Sequence, residues 1–104
     1  MAPYPWTNEH TRSLCRAVLK LKDLSEAERF FRDLLTLEEI REFSKRWQAV
    51  NLLAEGETYR EVAKKTGLST STVVRVAHWL KSGMGGYRAM LTRMGVGKKK
   101  RTVL

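Results

Sequence analysis

Two short helical patterns joined through Gly67 constrain the fold of this chain more than any other feature of its sequence. Thr58 and Glu61 have the spacing of a capping box at the start of the first helix, and Ser69 can cap the second. Glycine adopts the left-handed backbone of a tight reversal at little cost. The second helix carries apolar residues at helical spacing on one side, namely Val73, Val76, Ala77 and Leu80. Residues 58–80 therefore predict a helix-turn-helix.

The opposite side of the second helix combines hydroxyls, a guanidinium, an imidazole and a branched aliphatic side chain. Such groups contact base edges and phosphates in DNA complexes. A plain packing corner is the alternative, because helix pairs with an apolar seam are common in helical proteins. We favour a DNA-binding surface. The residues that it would use are Arg60, Lys64, Lys65, Ser69, Thr70, Ser71, Thr72, Val74, Arg75, His78 and Lys81.

The positive charge is concentrated in the second half of the chain. Residues 1–55 contain nine Lys/Arg and nine Asp/Glu, whereas residues 56–104 contain eleven Lys/Arg and two Asp/Glu, so the net charge of +9 belongs to the second half. Neutralisation of phosphates supplies much of the affinity for nucleic acid. The division predicts a neutral scaffold joined to a polyanion-binding surface. A merely solvated basic surface would explain the sum of the charges but not their division.

The rest of the sequence predicts a single all-α domain of about six helices. Residues 1–6, which hold both prolines, are expected to form an extended arm. Core and dimerisation helices are expected over 8–56, ahead of the helix-turn-helix. A last helix is expected over 86–95, and a flexible basic tail over 96–104.

The first two helices of the core segment have recognisable caps. The first, near residues 8–21, can be capped by Thr7 or Asn8. The second is expected to begin just after a capping box made by Ser25 and Glu28. Its apolar face is too wide for a lone surface helix, which favours burial against another subunit.

A third and longest helix is predicted to begin after a capping box of Thr36 and Glu39 and to end at Gly56. Its buried stripe is expected to comprise Leu37, Ile40, Phe43, Trp47, Val50 and Ala54. The single cysteine, Cys15, lies on the apolar pattern of the first helix and is expected to be a buried, inert thiol.

No motif in the sequence indicates catalysis or metal binding. The chain lacks a glycine-rich phosphate loop, a nucleophile elbow and paired zinc ligands, and its histidines, His10 and His78, are far apart in sequence. We therefore expect no enzyme activity, no metal and no cofactor. No apolar run reaches the length of a signal peptide or a membrane span, so we expect a soluble cytoplasmic protein without a membrane partner.

Several segments occur in the order that is found in the Trp repressor superfamily. They are Leu35-Thr36-Leu37-Glu38-Glu39, Arg46-Trp47-Gln48, Leu52 to Tyr59, Thr66 to Val76, and Gly83-Met84-Gly85-Gly86-Tyr87. The last segment resembles the YerC/YecD-type branch more than the tryptophan-responsive repressor. The resemblance covers roughly residues 10–95. It implies an intertwined, all-helical homodimer that binds double-stranded DNA as a bacterial transcriptional regulator.

The resemblance also implies a site for a small effector. Thr36, Arg46 and Arg75 match positions that contact the ligand of the repressor, and two arginines beside a hydroxyl can clamp a carboxylate. Val76 and Trp79, however, stand where the repressor has a glycine and a serine, and both replacements add bulk. We therefore do not expect tryptophan as the co-effector. The pocket is expected either to be filled by the chain itself or to take another small anion.

Three alternatives stay open. The chain can be a dimeric adaptor whose helix-turn-helix meets an acidic protein partner. Arg46 can form a surface ion pair with Glu42, one helical turn earlier, instead of contacting a ligand. The whole chain can be a non-specific nucleic-acid-binding protein, driven by its basic second half and by the tail residues Lys98 to Arg101.

Overall fold

Six α-helices and no strand make up the secondary structure of residues 4–97, the part of the chain that the computed structural model describes. The prediction of an all-α fold with about six helices and a helix-turn-helix is confirmed. The helices are α1 (Glu9–Leu19), α2 (Leu24–Leu34), α3 (Leu37–Ala54), α4 (Tyr59–Thr66), α5 (Thr70–Ser82) and α6 (Gly86–Met94). Within the described residues, none of these helices is long and apolar enough to cross a membrane.

The chain divides into two compact units, Met1–Ile40 and Arg41–Leu104. The first unit contains α1, α2 and the first turn of α3. No residue of α1 or α2 is buried in the single chain, although both helices are strongly amphipathic. Cys15 is exposed as well, so the expectation of a buried thiol was wrong for the single chain. The pattern indicated an apolar face, but it did not indicate what covers that face.

The N-terminal arm is not extended where it is described. Thr7 donates its backbone N–H to the carbonyl of Tyr4 at 3.1 Å, which closes a turn. The rings of Tyr4 and Trp6 stack across it with centroids 5.6 Å apart. Pro5 lies between them, and proline favours the second position of a turn. Residues 1–3 of the arm and residues 98–104 of the predicted basic tail lie outside the described part of the chain.

Side-chain caps determine where α1 and α2 begin. Asn8 caps α1: its Oδ1 accepts hydrogen bonds from two backbone N–H groups of the first turn, at 2.8 and 3.0 Å. The cap predicted for α2 was wrong. Asp23 accepts from the backbone N–H of Glu26 at 2.8 Å, and Glu26 accepts from the backbone N–H of Lys22 at 3.0 Å. The helix consequently starts at Leu24, and the position of Ser25 falls inside it.

The start of α3 agrees with the prediction. Thr36 Oγ1 accepts the backbone N–H of Glu39 at 3.1 Å, and Glu39 Oε1 accepts that of Thr36 at 2.9 Å. The predicted stripe is buried only in part. Val50 is fully buried, whereas Leu37 and Phe43 are 49% and 46% exposed. Leu37 and Phe43, in the N-terminal half of α3, therefore remain half exposed in the single chain.

The core of the second unit consists of aliphatic side chains from α3 to α6. Four valines have no exposed surface, and Ala49, Leu68 and Leu91 complete the cluster around them. Fully burying a side chain of this kind stabilises a fold by about 1.5–3 kcal/mol. The four are Val50 from α3, Val62 from α4, and Val73 and Val76 from α5. This cluster anchors α5 to the rest of the unit.

Candidate nucleic-acid interface

The turn between α4 and α5 has the geometry that the sequence predicts. Gly67 takes the left-handed conformation, with φ of 80°, and donates its N–H to the carbonyl of Ala63 at 2.9 Å. Thr66, which the sequence argument did not single out, is buried. Its hydroxyl donates to the Val62 carbonyl at 2.7 Å and accepts from the Leu68 N–H at 3.2 Å. The reversal is thus held on both sides of the glycine.

One side of α5 is packed and the other is exposed. Val73, Val76 and Ala77 are buried, and Leu80 is half-buried against the core. The opposite side exposes six of the seven α5 residues that the sequence predicts to contact DNA. They are Thr70, Ser71, Val74, Arg75, His78 and Lys81. The helix therefore presents a polar surface on a support that cannot rotate without opening the core.

Hydroxyl groups form a network at the start of α5. Ser69 Oγ accepts the backbone N–H of Thr72 at 3.1 Å and donates to Thr72 Oγ1 at 2.9 Å. The Ser71 hydroxyl lies 3.1 Å from that of Ser69. Arg75 Nη2 donates to Thr72 Oγ1 at 3.3 Å, which holds one arm of the guanidinium. Thr72 is half-buried, so it supports the exposed groups. A guanidinium beside a helix N-terminus is well suited to a phosphate.

The basic residues of α4 differ in how much charge they offer. Arg60 and Lys64 are exposed. Lys65 Nζ instead lies 2.7 and 2.8 Å from the two carboxylate oxygens of Glu57. The hydrogen bond to Glu57 raises the pKa of Lys65 above its ordinary value of 10.5. Lys65 is therefore charged at neutral pH, but a neighbouring carboxylate compensates that charge.

The three positions that match effector contacts each have a partner close by in sequence. Thr36 belongs to the cap of α3. Arg46 Nε lies 3.4 Å from Glu42 Oε2, which is the ion pair considered as an alternative, and its guanidinium lies 5.6 Å from the Phe43 ring centroid. Arg75 donates to Thr72, within its own helix. These local contacts do not test whether the three residues bind an effector, so the effector site stays a prediction.

An apolar groove lies beside α5 within the second unit. Trp79 of α5 is 41% exposed and lines it, so its indole stands at the groove wall. The groove has a volume of about 590 Å³. Its other large lining side chains are Trp47, Met84, Tyr87 and Met90.

Arg88 of α6 holds the C-terminal end of α5, a role that the sequence argument missed. Its Nε donates to the Leu80 carbonyl at 3.0 Å and its Nη2 donates to the Lys81 carbonyl at 2.6 Å. The last carbonyls of a helix lack partners within the helix and carry partial negative charge. A cation there satisfies both needs. The exposed surface of α5 is consequently held at both of its ends.

The chain has clear relatives. Residues 9–95 match the family model described as Trp repressor protein. The uncharacterised protein YerC of Bacillus subtilis strain 168 is 41% identical over 81 residues, which span 78% of this chain and 78% of YerC. The crystal structure of a TrpR-like protein from Eubacterium eligens ATCC 27750 superposes with a TM-score of 0.80 at 41% identity, over 85% of this chain and 91% of that one. A proposed Trp repressor from Staphylococcus aureus superposes with a TM-score of 0.81 at 33% identity, over 86% and 90% of the two chains.

Proposed function

This chain belongs to the Trp repressor family of helix-turn-helix DNA-binding regulators, and we propose that it regulates bacterial transcription by binding a specific duplex through α5. The observation that carries the proposal is the division of α5 into an aliphatic flank packed on the core and an exposed, mainly polar flank. A helix held in this way can enter the major groove and present side chains to base edges.

The exposed residues divide into two roles in this proposal. The hydroxyls, valine and imidazole on the exposed side of α5 face bases, and the cations around them contact phosphates. Lys65 contributes less than the other cations, because Glu57 compensates its charge. The base-facing residues are Thr70, Ser71, Val74 and His78, and the phosphate-facing residues are Arg60, Lys64, Arg75 and Lys81.

The functional unit in this proposal is a homodimer. Two copies related by a two-fold axis place two recognition helices in successive major grooves, on the order of 34 Å apart. Support comes from the apolar surface that the single chain leaves uncovered on α1 and α2 and in the groove beside Trp79. Contiguous exposed apolar patches on soluble proteins mark interaction sites.

We expect Leu14→Glu to dissociate the dimer. Leu14 is 41% exposed in the single chain and lies one turn from Val18 on the apolar stripe of α1. A carboxylate buried in an interface without a partner costs several kcal/mol, which lowers the dimerisation constant by at least a hundredfold. Sedimentation equilibrium is expected to give twice 12.0 kDa for the native chain and 12.0 kDa for the variant. Ser13→Glu, which places the same charge at an adjacent exposed residue, serves as the control and should remain dimeric; a dimeric Leu14→Glu would contradict this interface.

The proposal is tested with a duplex enriched by selection for binding from a random library, hereafter the enriched duplex. Its affinity is compared with that of a scrambled duplex, with no amino acid added. We expect the enriched duplex to bind at least about 10³-fold more tightly at physiological salt. Adding tryptophan is expected to leave this ratio unchanged, because Val76 and Trp79 replace smaller residues of the repressor. The same two affinities are then measured for a chain that ends at Gly97.

The truncated chain separates the proposal from non-specific binding. Removing Lys98, Lys99, Lys100 and Arg101 should weaken both affinities by a similar factor and leave their ratio intact, because salt-dependent phosphate contacts carry no sequence information. Loss of nearly all binding on truncation, with equal affinities for the two duplexes in the full chain, would instead identify a non-specific binder driven by the tail.

A further inference from the structure

Val74 is the one aliphatic residue on the exposed side of α5, a helix that the structure describes in full. It is 46% exposed, whereas Val73 and Val76 on the same helix have no exposed surface. Packing within the chain does not explain a valine at this position. Helix propensity does not explain it either, because valine is a poorer helix former than alanine.

The position of Val74 is central on that surface. It follows Thr70 and Ser71 by four and three residues and precedes His78 by four, which places all four residues on one helical face. In a helix, a valine side chain is almost always in a single rotamer. Val74 therefore presents two methyl groups in a fixed direction among side chains that donate and accept hydrogen bonds.

An isopropyl group in a major groove can match only one kind of base feature. Base edges there display hydrogen-bond donors and acceptors, and the C5-methyl group of thymine is their apolar feature. Placing valine against a donor or an acceptor would remove water from that group without replacing its hydrogen bond. 5-Methylcytosine carries the same methyl group and is the other source of this chemistry.

We propose that Val74 contacts the C5-methyl group of a pyrimidine, thymine in unmodified DNA, at one position of each half-site. The inference rests on the proposed function. It goes further by naming the residue that distinguishes one base and the group on that base that the residue contacts. Burying one methyl group contributes about 0.8 kcal/mol, which corresponds to about fourfold in affinity for one half-site and roughly fifteenfold for two.

The experiment replaces each thymine of the enriched duplex in turn, in both half-sites, by deoxyuridine. This change removes the methyl group and leaves base pairing and the O4 acceptor intact. For the native chain we expect one symmetric pair of positions at which deoxyuridine lowers the affinity roughly fifteenfold. For Val74→Ala we expect the thymine duplex to bind about as weakly as the native chain binds the deoxyuridine duplex, with no further loss on replacement.

Two controls accompany this comparison of the native chain and Val74→Ala on the thymine and deoxyuridine duplexes. Ser71→Ala alters the neighbouring surface but keeps the isopropyl group, so it should retain the native response to deoxyuridine at that position. Thermal unfolding by circular dichroism should show Val74→Ala to be at least as stable as the native chain, since the residue is half exposed and alanine favours the helix. Affinities for two further duplexes, with cytosine or 5-methylcytosine at the same position, show whether the contacted methyl group belongs to thymine or to 5-methylcytosine.

The outcomes separate this inference from the function on which it rests. A response to deoxyuridine that disappears in Val74→Ala and persists in Ser71→Ala supports it. Selective binding with no such position, or a response that Val74→Ala retains, would overturn the inference and leave the proposed function standing. If affinity depended on the methyl group only between the cytosine and 5-methylcytosine duplexes, and not between the thymine and deoxyuridine duplexes, the thymine contact would be contradicted. Failure to bind any duplex selectively would remove the proposed function and this inference together.

Discussion

Arg75→Ala is expected to weaken binding of the enriched duplex on the order of a hundredfold. Its guanidinium is anchored to Thr72 at the start of α5 and is otherwise exposed, which leaves its remaining donors available for a phosphate. The proposed dimer would lose two such contacts, and each charge-assisted hydrogen bond contributes about 1.5 kcal/mol. The slope of log K against log salt should also become shallower by about 2, since roughly 0.9 counterion is released per phosphate contact. Fluorescence anisotropy over a range of salt concentrations measures both quantities.

Arg93→Ala is the matched control for Arg75→Ala. It removes the same charge from an exposed arginine in the same basic half, but on α6. We expect it to change the affinity less than threefold. Equal losses for the two variants would mean that overall charge drives binding, and would contradict a specific phosphate contact by Arg75.

Gly83→Ala is expected to destabilise the fold by about 1–3 kcal/mol, the usual cost of forcing an extra methyl group into occupied space. A Cβ at this position would clash with the backbone carbonyl oxygen of Trp79, and backbone cannot rotate away as a side chain can. The N–H of Gly83 also donates to that carbonyl at 2.9 Å, so the strain falls on the last turn of α5. Urea unfolding of both chains at the same protein concentration measures the difference in the free energy of unfolding.

Gly86→Ala is the control for Gly83→Ala. A Cβ there meets no atom within 4 Å, and the residue is the first of α6. We expect no loss of stability, and a gain of up to about 1 kcal/mol because alanine favours the helix. A loss as large as that of Gly83→Ala would show that the cost comes from generic loss of glycine in this turn rather than from the Trp79 carbonyl.

The parts of the fold that depend on short-range hydrogen bonds could be predicted from the sequence. Thr36 with Glu39, and Ser69 with Thr72, involve residues three apart, and Gly67 is the residue that the left-handed turn requires. The cap of α2 was assigned wrongly because two capping patterns overlap within a few residues. Asp23 with Glu26 has the same spacing as Ser25 with Glu28, and the carboxylate at Asp23 is the one that caps.

The features that could not be predicted depend on residues further apart or on apolar surfaces whose burial no local pattern specifies. Arg88 reaches carbonyls seven and eight residues away, and Lys65 pairs with Glu57 eight residues away. Neither spacing belongs to a local pattern. The apolar stripe of α3 was expected to be buried and is buried only in part, because periodicity does not indicate whether other residues cover an apolar surface. That is why Phe43 was expected to be buried and is half exposed.

Selection of bound duplexes from a random library tests most directly whether two copies of α5, related by a two-fold axis, recognise DNA together. We expect a two-fold symmetric sequence whose half-site centres lie about 10 base pairs apart, because paired recognition helices enter successive major grooves on one face of the duplex. Recovery of no enriched sequence, or of a single unrepeated element, would contradict the paired-helix interface.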